Sequence, residues 1–192
     1  APAPGSIAPR GTVTAAFTSQ RPTQSTIQLA ILKGIESAQR SVDIENAYFI
    51  KTPDLEGALM AALARGVRVR IFTNSLESID EPIVVQPILK SLPGLIDAGA
   101  EVYLRKGSTL HSKFMVADKQ YAWIGSYNHH PRSVRYESEN IVQILDSAFA
   151  QELTAVFEHD LLAATRVPNS AALSIPNSAS STLVERYFFD QL

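Results

Sequence analysis

Short apolar runs alternate with helix-spaced segments along most of this 192-residue chain. The runs at 42–49 and 67–73 have the length and composition of buried strands, and the segments between such runs carry apolar residues at helical intervals. Strands separated by helices call for a parallel or mixed sheet that is covered on both faces. The pattern therefore predicts an α/β fold with a mixed, largely parallel central sheet and helices on both faces.

Capping and breaking residues place the individual elements. Ser25 or Thr26 is suited to cap the first helix, and Pro87 and Pro93 fall inside the third helical pattern, where a break or two shorter helices are expected. Helices are predicted at 25–40, 53–64, 82–98 and 147–165. Strands are predicted at 42–49, 67–73, 102–104, 112–117, 121–124 and 139–145.

The chain divides into one domain and two less ordered ends. Residues 1–24 are rich in Pro, Ala, Ser and Thr and are predicted to form an extended lead-in, and 167–192 is predicted to be a tail. The last apolar stretch, 183–189, is expected to dock on the domain or on a partner. The core of the protein is then a single domain at 25–166. The loose start without methionine favours a processed chain or a fragment.

Composition limits the classes of partner. A formal net charge of −2 and a pI near 6.1 provide no broad basic field, which disfavours nucleic acid as a partner. The chain has no cysteine, which is compatible with the cytoplasm or an exported compartment. No apolar run reaches the length of a membrane span, so membrane contact is expected to be peripheral or through a missing segment. The cytoplasm or the membrane periphery is the favoured location, and an exported form is also compatible with the sequence.

The residues best suited to catalysis lie within one stretch of about thirty residues, 111–139. His111 and Lys113 are two apart on a predicted strand, so their side chains point the same way. The polar residues 118–120 read as a hairpin turn into the next strand. Antiparallel pairing then brings Ser126 and Asn128, also two apart, back beside the histidine and the lysine.

These residue types fit phosphoryl chemistry. A neutral histidine at position 111 is able to attack phosphorus and form a covalent intermediate. Lys113, Ser126 and Asn128 supply the donors that stabilise charge on the non-bridging oxygens. Glu139 begins another apolar run and is placed to accept a proton from the second nitrogen of His111, which would fix its tautomer. With no cysteine and scattered acids, no metal or other cofactor is predicted.

Several neighbouring polar residues also have ordinary structural explanations. Asp118 lies an odd number of residues after His111, so its side chain should point to the other face of the strand, and it sits at the turn. This position favours bonding to the backbone or to Lys113 over contact with substrate. His129, His130 and His159 are more typical of surface or hydrogen-bonded core positions. His130 is nevertheless close enough to the motif for substrate contact.

Taken together, the motif residues resemble a known family. The pattern of His111, Lys113 and Asp118, followed by Gly125-Ser126 and Asn128, resembles the HxKxxxxD signature of the phospholipase D superfamily. The likeness covers roughly residues 25–166 and is greatest to the C-terminal catalytic half of bacterial cardiolipin synthases and phospholipase D-like proteins. Further matching segments are Ala47-Tyr48-Phe49, 66–70, 73–75, Pro131-Arg132-Ser133 and Glu139.

The resemblance implies a role for each motif residue. His111 would be the nucleophile or its acid partner, and Glu139 would orient its ring. Lys113, Ser126 and Asn128 would bind the phosphate. Asp118 belongs to the family's catalytic signature, with a mainly structural or electrostatic role. The implied fold is the α/β sandwich of the superfamily.

The implied activity is a metal-independent phosphodiesterase or phosphatidyltransferase that acts on phospholipids through a phosphohistidine. Family sites are built from two such motifs, and this sequence contains one. A missing N-terminal half is the first explanation, a homodimer the second, and a degenerate copy the third. The alternative functions are a dimeric endonuclease of the same superfamily and a non-catalytic phosphate-binding module.

Overall fold

The computed structural model describes residues 12–17, 25–177 and 179–188. Within them, eight strands form one sheet. The strands are β1 (Thr12–Phe17), β2 (Ser41–Asn46), β3 (Arg68–Thr73), β4 (Glu101–Arg105), β5 (Lys113–Ala117), β6 (Tyr121–Gly125), β7 (Asn140–Leu145) and β8 (Ala164–Val167). The helices are α1 (Thr26–Ser37), α2 (Pro53–Ala64), α3 (Pro82–Lys90), α4 (Pro93–Asp97), α5 (Pro131–Arg135), α6 (Ser147–Asp160) and α7 (Ala179–Phe188).

The sheet is mixed, as predicted, but most of its pairs are antiparallel. The strand order is β1-β7-β6-β5-β2-β3-β4-β8. Among the described strands, parallel pairing is confined to β2 with β3 and β3 with β4. A parallel pair needs a long crossover, and here those crossovers contain α2 and the pair α3–α4. The prediction of a largely parallel sheet was therefore wrong, although the α/β class is confirmed.

Helices cover both faces of the sheet, as the sequence predicts. On one face, α1 and α2 pack on the apolar residues of the central strands through Ile27, Ile31, Ile35, Leu55 and Leu59. On the other face, α6 packs Leu153 and Phe157 against Phe72 and Phe114. Alternate residues of each strand thus enter two separate cores.

Local signals explain where several helices begin and end. The Ser25 side chain accepts a hydrogen bond from the Gln28 amide, so Ser25 caps α1. Pro93 opens α4 and accounts for the predicted break, whereas Pro87 lies inside α3 without ending it. At the end of α3, the Pro87 carbonyl oxygen accepts hydrogen bonds from both the amide and the hydroxyl of Ser91, at 3.1 and 2.9 Å.

The two ends contain more regular structure than the sequence predicts, and the described part of the stretch 183–189 docks on the domain as expected. The predicted helix at 147–165 stops at Asp160, and 164–167 forms β8, which pairs antiparallel with β4. In the predicted lead-in, 12–17 forms the edge strand β1, and residues 1–11 and 18–24 lie outside the described residues. In the predicted tail, 179–188 forms α7, which docks on α3. Gln86 Nε2 donates to Thr182 Oγ1 at 3.0 Å in this contact.

Candidate active site

Four strand ends bring the predicted site residues to one edge of the sheet. β2 and β3 run parallel, β5 runs antiparallel to β2, and β6 runs antiparallel to β5. The ends of β2, β3 and β6 therefore meet the start of β5. His111 and Lys113 stand at that start, and Ser126 and Asn128 directly follow β6.

The hairpin that makes this possible forms as the sequence predicts. Phe114 of β5 pairs with Ile124 of β6, and the Gln120 amide donates to the Ala117 carbonyl oxygen at 3.0 Å. Asp118 and Lys119 have φ of +54° and +56°. Two consecutive positive φ angles are typical of a type I′ turn, the tight turn whose twist matches antiparallel strands.

His111 presents a free imidazole at this edge. The residue is exposed, and its ring forms no hydrogen bond to any described residue. Its backbone carbonyl oxygen accepts a hydrogen bond from Lys113 Nζ at 2.7 Å, so the lysine is held beside it. An exposed, unbonded imidazole next to an ammonium is suited to bind and attack an anionic substrate.

Lys113 is a buried cation next to the exposed residue His111. Its residue is buried, on the same face as Met115, opposite Asn46 of β2. Burial lowers the pKa of Lys113, while the carboxylates of Glu139 and Asp80 act to raise it. The lysine is thus a poorly hydrated cation whose charge has strong effects at short range.

Asn128 carries an unsatisfied polar atom. Its Oδ1 is buried without a hydrogen-bond partner among the described residues. Buried amide oxygens are nearly always paired in proteins, because an unmade hydrogen bond is costly. This oxygen can only accept a hydrogen bond, so a ligand that satisfies it must bring a donor.

Glu139 contacts the site through hydroxyl groups, which corrects the predicted contact with the histidine. Ser126 Oγ donates to Glu139 Oε2, and Ser133 Oγ donates to Glu139 Oε1 at 2.8 Å. Burial raises the pKa of Glu139, and these two hydroxyls act against the rise. The short helix α5 places Ser133 against the carboxylate, so Glu139 orients Ser126 and not the ring of His111.

Asp118, a member of the predicted catalytic set, lies away from the other residues of that set. It ends β5 at the edge opposite to His111. Its carboxylate accepts three backbone hydrogen bonds, from Gln39 at 2.9 Å, Arg40 at 2.7 Å and Ser41 at 2.9 Å. Burial acts to raise the pKa of Asp118, but these bonds lower it overall. Asp118 thus fixes the backbone of residues 39–41, where the chain enters β2. Bonding to the backbone is the role that its position at the turn favoured.

The remaining histidines have the structural roles that the sequence favoured. His129 is buried against the rings of Phe49 and Tyr127, with centroids 5.9 and 5.7 Å away, and burial lowers its pKa to about 3. His130 caps α5 by accepting the Ser133 amide at Nδ1, 3.0 Å away, and burial lowers its pKa to about 4. The His159 side chain is 79% exposed.

Two buried asparagines hold the site loops, and the sequence analysis missed this role. Asn74 Nδ2 donates to the Leu110 carbonyl oxygen and Asn74 Oδ1 accepts from the Leu110 amide, both at 2.9 Å. Asn46 Nδ2 donates to the backbone carbonyl oxygen of Tyr127 at 3.1 Å, and Asn46 Oδ1 accepts from the His129 amide at 3.0 Å. Each side-chain amide thereby bonds backbone groups that lie outside the strand ladders. Asn74 fixes Leu110, next to His111, and Asn46 fixes the segment around Asn128.

Among the described residues, no group of three or more His, Cys, Asp or Glu side chains is arranged to hold a metal ion. None of the helices found there has the length and apolar character needed to cross a bilayer.

Sequence comparison gives relatives for most of the chain. The family model described as cardiolipin synthase, PLD-like domain matches residues 31–161. Cardiolipin synthase 2 of Staphylococcus epidermidis is 33% identical over 127 residues, which cover 66% of this chain and 26% of that protein. Cardiolipin synthase of Staphylococcus aureus Mu50 is 33% identical over the same length and is covered to 25%. This chain spans about a quarter of the length of these relatives.

Comparison of structures gives the same fold. The phospholipase D family member Nuc from Salmonella typhimurium has a TM-score of 0.67 at 23% identity, covering 81% of this chain and 97% of its own. NucT from Helicobacter pylori has a TM-score of 0.67 at 18% identity, covering 81% and 100%. Phosphatidylserine synthase of Haemophilus influenzae has a TM-score of 0.70 at 17% identity, covering 91% and 45%.

Proposed function

Because the chain belongs to the PLD-like domain family of cardiolipin synthases, within the phospholipase D superfamily, we propose that it is a phosphodiesterase or phosphatidyltransferase of phospholipids. His111 is the proposed nucleophile, and the reaction needs no metal. The observation that carries this proposal is the free ring of His111 beside Lys113, at an edge that also holds Ser126 and the unsatisfied amide of Asn128.

The proposed reaction has two displacements at phosphorus. A nitrogen of His111 forms a bond to phosphorus while the bond to the leaving alcohol oxygen breaks, and that oxygen takes a proton from a general acid. Water or an acceptor alcohol then attacks phosphorus, loses its proton to the same group, and breaks the phosphorus–nitrogen bond. Hydrolysis and headgroup transfer differ only in this second attacker.

Each phosphate-binding residue has a distinct part in that reaction. Lys113 supplies the positive charge, and Asn128 would donate to a non-bridging oxygen through its Nδ2 group, since its Oδ1 can only accept a hydrogen bond. Ser126 Oγ already donates to Glu139, so it binds a phosphate oxygen only when that bond is exchanged. Glu139 thus controls whether the Ser126 hydroxyl is available to substrate.

The general acid must come from outside this motif. His129 and His130 are buried, and their lowered pKa values keep them neutral at physiological pH. A second HxK motif is the proposed source, contributed either by another half of a longer protein or by a second copy of this chain. General acid assistance contributes about 10²–10⁴-fold, so an isolated half should have little activity.

A dimeric endonuclease is the second candidate. The chain covers nearly all of Nuc and NucT, with 97% and 100% of their lengths matched. A nuclease would use the same nucleophile on a different diester. The net charge of −2 argues against it, because binding to a nucleic-acid backbone usually requires clustered cations. A phosphate-binding module without turnover is the third candidate.

Replacing His111 with Ala tests the nucleophile. We expect His111→Ala to lower turnover at least about 10³-fold with the fold retained, as loss of a covalent nucleophile does in other enzymes. Activity is measured on vesicles of phosphatidylglycerol or phosphatidylcholine and on plasmid DNA. His159→Ala removes an exposed histidine far along the chain and is the matched control. Full activity in His111→Ala would refute the assignment.

The same variant distinguishes a homodimer from a fragment. If two copies share one site, mixing His111→Ala chains with the wild type lowers activity as the square of the wild-type fraction, because a mixed dimer has one histidine. Independent sites give a linear loss instead. A monomer by mass measurement that lacks turnover excludes a site shared between two copies, and leaves a second motif in a longer protein or a phosphate-binding module without turnover.

A further inference from the structure

Glu45 is a carboxyl group in an apolar environment with no cation bonded to it. It lies on β2, fully buried, on the sheet face covered by α6. Its register partners are Phe72 of β3 and Phe114 of β5, which share that face. The residue two positions earlier, Asp43, is equally buried but has an ion pair with Arg70 at 2.6 Å. An ionised Glu45 would lack such compensation, which is strongly unfavourable in a medium of low polarity.

The groups around Glu45 explain how it is accommodated. Ser112 Oγ donates to Glu45 Oε1, and Glu45 Oε2 is buried without a partner among the described residues. The Asp160 carboxylate at the end of α6 is close enough to Glu45 to raise its pKa. Two carboxylates bond only if one of them carries a proton. A proton on Glu45 would satisfy the orphan oxygen and remove the repulsion.

We propose that Glu45 is a positioning residue that keeps its proton in the folded protein, shares it with Asp160, and holds the segment of His111 through Ser112. This role involves no contact with substrate, and it is independent of the proposed function.

The hydrogen bond from Ser112 to Glu45 affects the candidate site because of where Ser112 lies in the chain. Ser112 lies between His111 and Lys113, so the bond to Glu45 fastens the segment on the α6 side of the sheet. Asn74 fastens Leu110 immediately before it. The nucleophile is therefore held between two buried anchors, one of which titrates.

The electrostatic surroundings support a proton on Glu45. Burial is the largest cause that raises its pKa, to about 7, and the Ser112 hydroxyl acts against the rise. Asp160 raises the pKa further, and Arg105 opposes it only as the weakest contribution. The neighbouring strands contribute the phenyl rings of Phe72 and Phe114, which carry no charge.

The sign of the pH dependence follows from these contacts. The pKa of Glu45 lies near 4.5 when it is solvated and at about 7 in the fold. Opening of the segment therefore releases a proton between these pH values. The closed state weakens by about tenfold per pH unit across that window, relative to the open state, and changes no further above it.

Amide hydrogen exchange of Leu110, whose amide donates to Asn74, tests the proposal. After correction for intrinsic exchange rates, we expect the wild-type protection factor to fall up to roughly 100-fold between pH 4.5 and 7. Glu45→Gln keeps an acceptor for Ser112 and a donor for Asp160, so its protection should not vary with pH. At pH 7 it should be at least as stable as the wild type.

Two further variants complete the test. Asp160→Asn removes the neighbouring carboxylate, so the fall in protection should move to lower pH. Glu101→Gln is the matched control, because the pKa of Glu101 is about 2 and its loss should leave the slope between pH 4.5 and 7 unchanged. A slope that persists in Glu45→Gln, or a Glu45→Gln chain less stable than the wild type at pH 7, overturns the proposal. Since exchange is measured and not turnover, the outcome does not depend on the substrate.

Discussion

The two faces of the central strands are equally buried but have opposite chemistry. Toward α1 and α2, β2 and β3 present the aliphatic side chains of Val42, Ile44, Val69 and Ile71, followed at the strand ends by the uncharged Asn46 and Thr73. Toward α6, the same strands present Asp43, Glu45 and Arg70, together with Phe72. Burial alone therefore does not decide which residue types a sheet accepts. A face accepts charge where each charged group has a partner that replaces water.

The charged face is built around Arg70. Its guanidinium lies 2.6 Å from Asp43 Oδ1 and 2.6 Å from Glu158 Oε1, and its Cζ lies 4.7 Å from the centre of the Phe157 ring. Burial acts to lower the pKa of Arg70, but the two carboxylates raise it above its ordinary value. Packing stabilises the aliphatic face, whereas the α6 face depends on this pairing.

Removal of Arg70 should have the largest effect. Arg70→Ala leaves the Asp43 carboxylate buried without its cation, and breaking such a pair costs about 3–5 kcal/mol of unfolding free energy. Chemical denaturation measures the loss. Arg68→Ala is the matched control, because Arg68 pairs with Glu101 but its side chain is 55% exposed, and its removal should cost less than about 1 kcal/mol. Equal losses in the two variants would contradict the comparison of the faces.

Making the α6 face aliphatic as well should recover much of that loss. The double variant Asp43→Leu with Arg70→Met removes both buried charges together, so no uncompensated group remains. Replacement of a buried ion pair by apolar residues of similar volume is often neutral or stabilising by about 1–4 kcal/mol. Denaturation should thus place the double variant near the wild type and at least about 2 kcal/mol above Arg70→Ala. A double variant no more stable than Arg70→Ala would show that the pair itself is required.

Sequence patterns predicted the positions of the strands better than the way in which the strands pair. The apolar run at 67–73 matches β3, and the hairpin of β5 and β6 formed as expected, because alternation and turn residues are local signals. Pairing direction depends on how distant segments meet, which explains why the antiparallel majority was missed. β8 has four residues, two of them exposed, and carries too weak a periodicity to be separated from the preceding helix.

The candidate site shows the same division between local and distant signals. Spacing alone indicated that Lys113 and His111 lie together and that Asp118 faces elsewhere. The bonds of Asn46 and Asn74 were not predictable, because they join residues that are 81 and 36 positions apart. A polar residue after an apolar strand resembles an ordinary loop residue. Glu139 was placed in the correct region, but its bonds to the hydroxyls of Ser126 and Ser133 were not predicted, because Ser133 reaches the carboxylate from the short helix α5.

The smallest expected effect belongs to the aliphatic face. Ile71→Val removes one methylene from a fully buried side chain without exposing a polar group, so it should cost about 0.5–1.5 kcal/mol in chemical denaturation. No titratable group faces Ile71 within β2 and β3, whose other residues on this side are Val42, Ile44, Asn46, Val69 and Thr73. The loss should therefore be equal at pH 5 and pH 8. A loss that changes between these pH values would mean that the two faces are coupled through the strands, and the difference between them would then no longer be a property of each face alone.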